Sequence, residues 1–378
     1  MAPIVALLSH RGGNIGHDFM AAGMTEAVRE AFGPNVDLRH IEQHRPFEVY
    51  PAGHWLRAFN RLKHGRHRGI RNFLNRDDVR QWLWRRLPQM PFCLAVACGG
   101  PNIVPGAAKV PEMRLLLHHM NGAFSQRMVP FLDAGVGAAF PLESSQRLED
   151  ADDIAFYKTA FSYASQVTVR EAVAKSVCDA LEVDAQLIPC GAIGVGRLFE
   201  RVAPSHQRPG HIVVNFQAHG ANTDWGQGVD KAAWRSTVRM AVDDLSKRHA
   251  VRFLAHNQAE AALAAQFAGD FPCDVPSDVT SYAAAIAGAK AGLVSRIHAA
   301  VALASVGVPS FVVGTDTRLG TAAELKLPTR PVKQITSAEI ISTIEDLIRN
   351  SDAEKERLRV LREVTVHRYA GIFREHAK

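Results

Sequence analysis

The chain has 378 residues, of which 47% are hydrophobic and 22% charged, with a formal net charge of +6. This is ordinary globular composition, long enough for about two domains of roughly 150 residues, and it excludes disordered, collagen-like and coiled-coil proteins. The charge-free stretches 299–314 and 87–108 are too short, or too broken by Pro88, Pro91, Pro101 and Pro105, to span a bilayer, which takes roughly 20 apolar residues. The first residues lack the basic and apolar regions of a signal peptide. Five cysteines, with no C-x-x-C pair, argue against a disulfide framework or zinc ribbon and predict reduced thiols in a cytoplasmic protein.

In chain order, the pattern predicts a buried strand at 4–8, a Gly-rich turn, a helix at 18–32 and a strand at 36–39. Strands follow at 92–97 and 128–132, a helix at 152–163, a strand at 166–169, a helix at 171–181 and a strand at 186–188. The stretch 204–210, with two prolines and a glycine, reads as a linker. The alternation then restarts: strand 212–216, helix 231–249, strand 251–255, helices 258–267 and 281–289, strand 292–294, helix 297–306 and strand 310–313. Helices at 337–349 and 352–375 close the chain. Repeated strand–helix alternation implies parallel sheets covered by helices. The predicted fold class is α/β, with two Rossmann-like domains facing across a cleft. The expected division is 1–203, 211–345 and a C-terminal helix 351–376 packing back across both. Ligands of such sheets bind beyond the carboxyl ends of the strands.

The positive charge is local. Residues 57–86 hold ten Lys or Arg against only Asp77 and Asp78, so the remainder of the chain is net acidic. Trp55, Trp82 and Trp84 lie in or beside this segment, which reads as an insertion at 52–88. Basic residues interleaved with aromatics suit an anionic membrane surface or a lipid-linked phosphate. They equally suit a solvated helix face over a core. No nucleic-acid-binding motif accompanies them, so nucleic acid is not expected as a partner.

Four segments sit at predicted strand ends. Arg11-Gly12-Gly13-Asn14-Ile15-Gly16-His17-Asp18 follows the first strand; backbone amides at such a turn and helix start can hold an anion, or the glycines can serve only the turn. It lacks the lysine of a P-loop. Thr168-Val169-Arg170-Glu171 brings an arginine fork to a strand–helix junction, or a mere Arg–Glu surface pair. Ser295-Arg296-Ile297-His298 places a cation and a proton-transfer group at one helix start. Gly314-Thr315-Asp316-Thr317-Arg318 follows the next strand. Three arginines and a histidine at one cleft suit a small, densely anionic ligand.

In this order, Asn14-x-Gly16, Val169-Arg170-Glu171 with Ser176, Ser295-Arg296-x-His298, Gly307-x-Pro309 and the loop cation Arg318 resemble the polysaccharide pyruvyl transferase family. Phe253-Leu254-Ala255-His256 resembles its strand ending in histidine, and Cys98-Gly99-Gly100 its Gly-Gly loop. His17 is inserted before Asp18, Arg318 stands where lysine is usual, and Pro189-Cys190-Gly191 stands where an Asp-Pro turn is usual. The resemblance implies a glycosyltransferase-B-like fold and transfer of pyruvate from phosphoenolpyruvate onto a sugar as a ketal, with no cofactor or metal. It implies that Arg170, Arg296 and Arg318 hold phosphoenolpyruvate, assisted by Asn14, Gly16, His17, Ser295 and His256. His298 is the implied general acid, and Asp18, His17 and His256 are candidate bases. The implied acceptor is a sugar, lipid-linked or nucleotide-linked, with residues 57–86 at the inner membrane surface. Two alternatives stay open: a nucleotide-sugar glycosyltransferase of the same fold, and a peripheral membrane or polyanion-binding protein.

Overall fold

The computed structural model describes residues 2–9, 14–42, 49–50, 53–55, 57, 79, 82, 91–110, 113, 117, 121–202, 210–221, 224–267 and 271–377. Its first half runs β1 (Ile4–Ser9), α1 (Ile15–Phe32), β2 (Asp37–Glu42), β3 (Leu94–Cys98), α2 (Asn121–Gln126), β4 (Phe131–Val136), α3 (Ala151–Ser162), β5 (Gln166–Val169), α4 (Ala172–Ala180), β6 (Ala185–Leu187) and α5 (Val195–Val202). Its second half runs β7 (His211–Asn215), α6 (Lys231–Leu245), β8 (Ala250–Leu254), α7 (Gln258–Phe267), β9 (Cys273–Asp274), α8 (Val279–Ile286), β10 (Ala289–Val294), α9 (Ile297–Ser305), β11 (Ser310–Gly314), α10 (Leu319–Glu324) and β12 (Thr329–Pro331). Helices α11 (Ser337–Arg349) and α12 (Ser351–His376) complete the chain.

The strands form two parallel six-stranded sheets, ordered β2-β1-β3-β4-β5-β6 and β12-β11-β10-β7-β8-β9. Read from β9, the second has the doubly wound order 3-2-1-4-5-6 of a dinucleotide-binding fold. Its strand order reverses between β7 and β10, and that of the first sheet between β1 and β3. Both reversals open crevices at strand carboxyl ends. The α/β class with two Rossmann-like halves therefore stands as expected.

Boundaries moved for local reasons. Helix α1 begins at Ile15, not 18, because the Asn14 side chain caps it by accepting from the Gly16 N–H at 3.1 Å. Strand β4 begins at Phe131 rather than 128, because Met128 takes a positive φ of 58° that ends the preceding helical turn. Helix α6 stops at Leu245, where the chain tightens into a turn through His249. The short edge strands β9 and β12 escape a reading based on apolar runs. The linker at 204–209 and nearly all of the basic segment 57–86 lie outside the described residues.

One core joins the halves. Phe19, Met24, Phe199, Leu303 and Val366, from α1, α5, α9 and α12, belong to a single buried cluster. All nine residues of α9 are buried; its alanines let it lie close between sheet and neighbouring helices. Helix α12 is tied to both halves. Arg362 donates to Ser305 O at 2.9 Å and pairs with Glu200, while Glu363 pairs with Arg197 and Glu30 with His367. No helix among the described residues is long and apolar enough to cross a membrane.

Candidate functional site

A cavity of about 210 Å³ lies between the two sheets, at the carboxyl ends of their strands. The first half contributes Asn14 and His17 after β1, Pro101 after β3 and Arg170 after β5. The second contributes Gln217 after β7, Ser295, Arg296 and His298 after β10, and Asp316 and Arg318 after β11. Helices α1 and α9 both begin at this cavity, so two helix N-termini add their partial positive charge to it.

Each arginine is held by a carboxylate of its own. Arg170 is fully buried, and its Nε donates to Glu171 Oε2 at 3.3 Å. The pair is therefore buried, not the surface pair that an Arg–Glu dipeptide ordinarily makes. Glu171 also accepts from the Ala138 N–H and, across the domains, from Thr321 Oγ1 at 2.8 Å. Gly137 makes room for the guanidinium: a Cβ there would stand 2.5 Å from Arg170 Nε. Arg170 Nη1 lies 4.0 Å from Cys190 Sγ, and Nη2 is buried without a partner. Arg296 pairs closely with Glu260, and its backbone N–H donates to Asn215 Oδ1 at 3.0 Å. Arg318 Nε donates to Asp316 Oδ1 at 2.8 Å, and Trp225 Nε1 donates to the same carboxylate at 3.0 Å. Burial works against the Asp316 charge, but the Arg318 hydrogen bond and charge hold the carboxyl below its ordinary range.

His298 is buried and lies against Gly16, with its ring centroid 6.4 Å from that of His17. Its Nε2 has no partner. Burial, then the charges of Arg170, His17, His256 and Arg318, push its imidazole well below the ordinary histidine value. Both influences favour the neutral imidazole.

Other expected residues fall elsewhere. Asp18, in the first turn of α1, does not line the cavity. Nor does His256: its Nε2 pairs with Tyr282 Oη of α8 at 3.0 Å, and burial together with Arg296 pushes it down to about 3. Asn14 lines the cavity, but its side chain caps α1. Ser295 lines it and donates its N–H to Asn215 O at 3.0 Å. Ser176 lines a separate groove beside Arg147 and Leu148. Arg11, Gly12 and Gly13 lie outside the described residues.

The sequence reading missed Gln217, Asn215 and Glu260. The first two stand where a buried apolar strand turns polar at its carboxyl end, the same signal that exposed Arg296. Glu260 carried no signal, since an acid in the first turn of a helix is commonplace. Among the described residues no group of three or more His, Cys, Asp or Glu could hold a metal ion.

No family profile and no curated protein matches the sequence. Solved structures do match its fold. The UDP-GlcNAc 2-epimerase of Neisseria meningitidis, solved with UDP-GlcNAc, aligns over 99% of this chain and 98% of its own with a TM-score of 0.55 and 10% identity. Sucrose-phosphate synthase of Thermosynechococcus elongatus aligns over 99% and 98% with a TM-score of 0.53 and 11% identity. The UDP-N-acetylglucosamine 2-epimerase of Rickettsia bellii covers the same shares with a TM-score of 0.53 and 9% identity. The chain thus has the glycosyltransferase-B-like fold.

Proposed function

We propose that the chain is an enzyme that transfers pyruvate from phosphoenolpyruvate to a sugar at the cavity between its two sheets. The observation that carries this reading is the convergence of Arg170, Arg296, Arg318 and His298, remote in sequence, on one small cavity. A phosphate and a carboxylate on three carbons need several forked donors within a short span. The cavity, about 210 Å³, is smaller than the roughly 300–1,000 Å³ typical of drug-sized ligands. Its acid, Asp316, is engaged by Arg318 and Trp225 rather than available to sugar or ribose hydroxyls.

In this scheme the arginines bind the phosphate and carboxylate. The ligand's negative charge offsets the cations around His298 and raises its affinity for a proton. His298 then protonates the enol methylene, the enol π pair forms the new C–H bond, and positive charge develops at the adjacent carbon, shared with its oxygen. A sugar hydroxyl attacks that carbon and passes its proton to His298, which gave one up in the preceding step. A second hydroxyl displaces phosphate, closing the ketal, and its proton leaves with the phosphate.

A second reading, a nucleotide-sugar-dependent enzyme, is favoured by the solved neighbours, whose names include UDP-GlcNAc epimerases and a sucrose-phosphate synthase. Melting scans separate the two. A ligand that binds only the folded state raises the midpoint. A rise with phosphoenolpyruvate that vanishes in Arg296→Ala supports pyruvyl transfer; a rise with UDP alone overturns it in favour of the second reading.

The acceptor is proposed to be a lipid-linked sugar, reached at a membrane surface. Trp55, beside the basic stretch, and Trp82, within it, are exposed with ring centroids 6.4 Å apart and support this. Equal binding to neutral and anionic liposomes overturns it.

A further inference from the structure

Gln217 follows β7, is 6% exposed and lines the cavity. By shape alone its amide can face either way, since oxygen and nitrogen are nearly alike in size. Glu260 removes the choice. A carboxylate only accepts, so the Gln217 group that meets Glu260 Oε1 at 3.3 Å is the NH2. Glu260 is itself anchored, although it does not line the cavity. It accepts from the His256 N–H at 2.9 Å, from the Asn215 amide at 3.3 Å and from the Arg296 guanidinium. Asn215 is fixed in turn, accepting from the Arg296 N–H at 3.0 Å and donating to Leu254 O at 2.8 Å.

One atom is left over. Gln217 Oε1 is buried and has no partner in the protein. A buried acceptor without a donor is costly, and native structures rarely keep one without a reason. Phosphate and carboxylate oxygens cannot relieve it, because they are acceptors too. A hydroxyl can. The opposite case stands across the cavity, where Arg170 Nη2 is a buried donor without an acceptor.

We propose that Gln217, locked by Glu260, reads a hydroxyl of the ligand while Arg170 takes its anionic oxygen. The proposal rests on the reading of the cavity as an anion site and adds a substrate class to it: an anion carrying, or meeting, a sugar hydroxyl at a defined place. Gln217 is then a binding residue for that hydroxyl, and Glu260 a positioning residue that acts through Gln217 and Arg296.

The test is calorimetric titration of the full chain at pH 8 with two probes. Sulfate is an anion with no proton to donate; glucose 1-phosphate joins a dianionic phosphate to hydroxyls. The wild-type chain is expected to bind glucose 1-phosphate about tenfold tighter than sulfate. Gln217→Met keeps the length of the side chain and removes the acceptor; it should weaken glucose 1-phosphate about tenfold more than sulfate. Glu260→Gln frees the Gln217 amide to turn over and should also narrow the ratio between the probes, although residue 260 does not face the ligand. An unchanged ratio in both variants overturns the proposal while leaving the anion site intact. Failure of both probes to bind the wild-type chain overturns the anion site and this proposal with it. Should Gln217→Met not fold, the Glu260→Gln ratio decides.

Discussion

The imidazole of His298 occupies the space that Gly16 leaves by having no side chain: a Cβ on residue 16 would stand 2.1 Å from His298 Nδ1. The two residues open helices α9 and α1, which belong to opposite halves and share one core. The helix starts are thereby packed onto each other, and His298 is held at the cavity by the first turn of the other half.

Gly16→Ala is therefore expected to displace the imidazole and to press α9 away from α1, because the added Cβ would also stand 2.8 Å from His298 Cβ, which no rotation of the ring can move. Overpacking of this kind costs about 1–3 kcal/mol, so the melting point should fall while the chain still folds. Activity with phosphoenolpyruvate should fall about a hundredfold, in the range of lost general acid catalysis. Circular dichroism and a rate assay read the two effects separately; an unimpaired rate would show that the position of His298 is immaterial.

Anion binding should draw in a proton. Burial and then the surrounding cations depress His298, and the ligand neutralises the cations, so phosphoenolpyruvate binding near pH 7 should be accompanied by proton uptake. Titration calorimetry in buffers of different ionisation enthalpy measures this directly. His298→Gln should bind with no uptake.

His256 should make the protein sensitive to acid. Its folded value of about 3 lies below the ordinary value of 6.5, so the unfolded chain binds the extra proton. Stability therefore falls as pH drops below 6.5, by about 1.4 kcal/mol per unit and so about 2.5 kcal/mol by pH 4.5. Urea unfolding at pH 7 and pH 4.5 should show a smaller difference in His256→Phe than in the wild-type chain.

Arg170 should prove structural as well as ligand-binding. Arg170→Met leaves the Glu171 carboxylate buried beside an apolar chain, at a cost of about 3–5 kcal/mol. Adding Glu171→Gln should return part of that loss, since the unpaired charge is gone. If the single variant unfolds at the wild-type urea midpoint, the pair carries no such weight.

The two halves are stitched beside the cavity. Thr317 Oγ1 accepts from the Phe140 N–H at 2.9 Å, and the Thr317 N–H donates to Phe140 O at 2.9 Å. Thr317→Val should cost about 1 kcal/mol and raise KM by loosening the Arg318 loop. Lys333→Ala, which breaks an exposed pair with Glu143 between the same two halves, should change neither by more than the small worth of a surface ion pair.

The α/β class was legible because a strand or helix announces itself through the local spacing of its apolar residues. The strand-end rule then led to Arg170, Arg296, His298 and Arg318, which the fold gathers at one cavity. The extra turn of α1 and the late start of β4 were less visible, since a side-chain cap and a single positive φ set them.

What only the tertiary structure decided is which groups oppose one another. Glu260 faces Arg296 from 36 positions away, and Thr321 reaches Glu171 from 150. Neither separation leaves a pattern in one sequence. The same holds for charge state. His256 and His298 look alike in a string of letters, yet one is buried against Tyr282 and the other stands at the cavity among arginines. Local sequence determined which elements form and which strand ends carry polar groups. The three-dimensional packing determined burial, and burial with the charges around it decides what each of those groups can do.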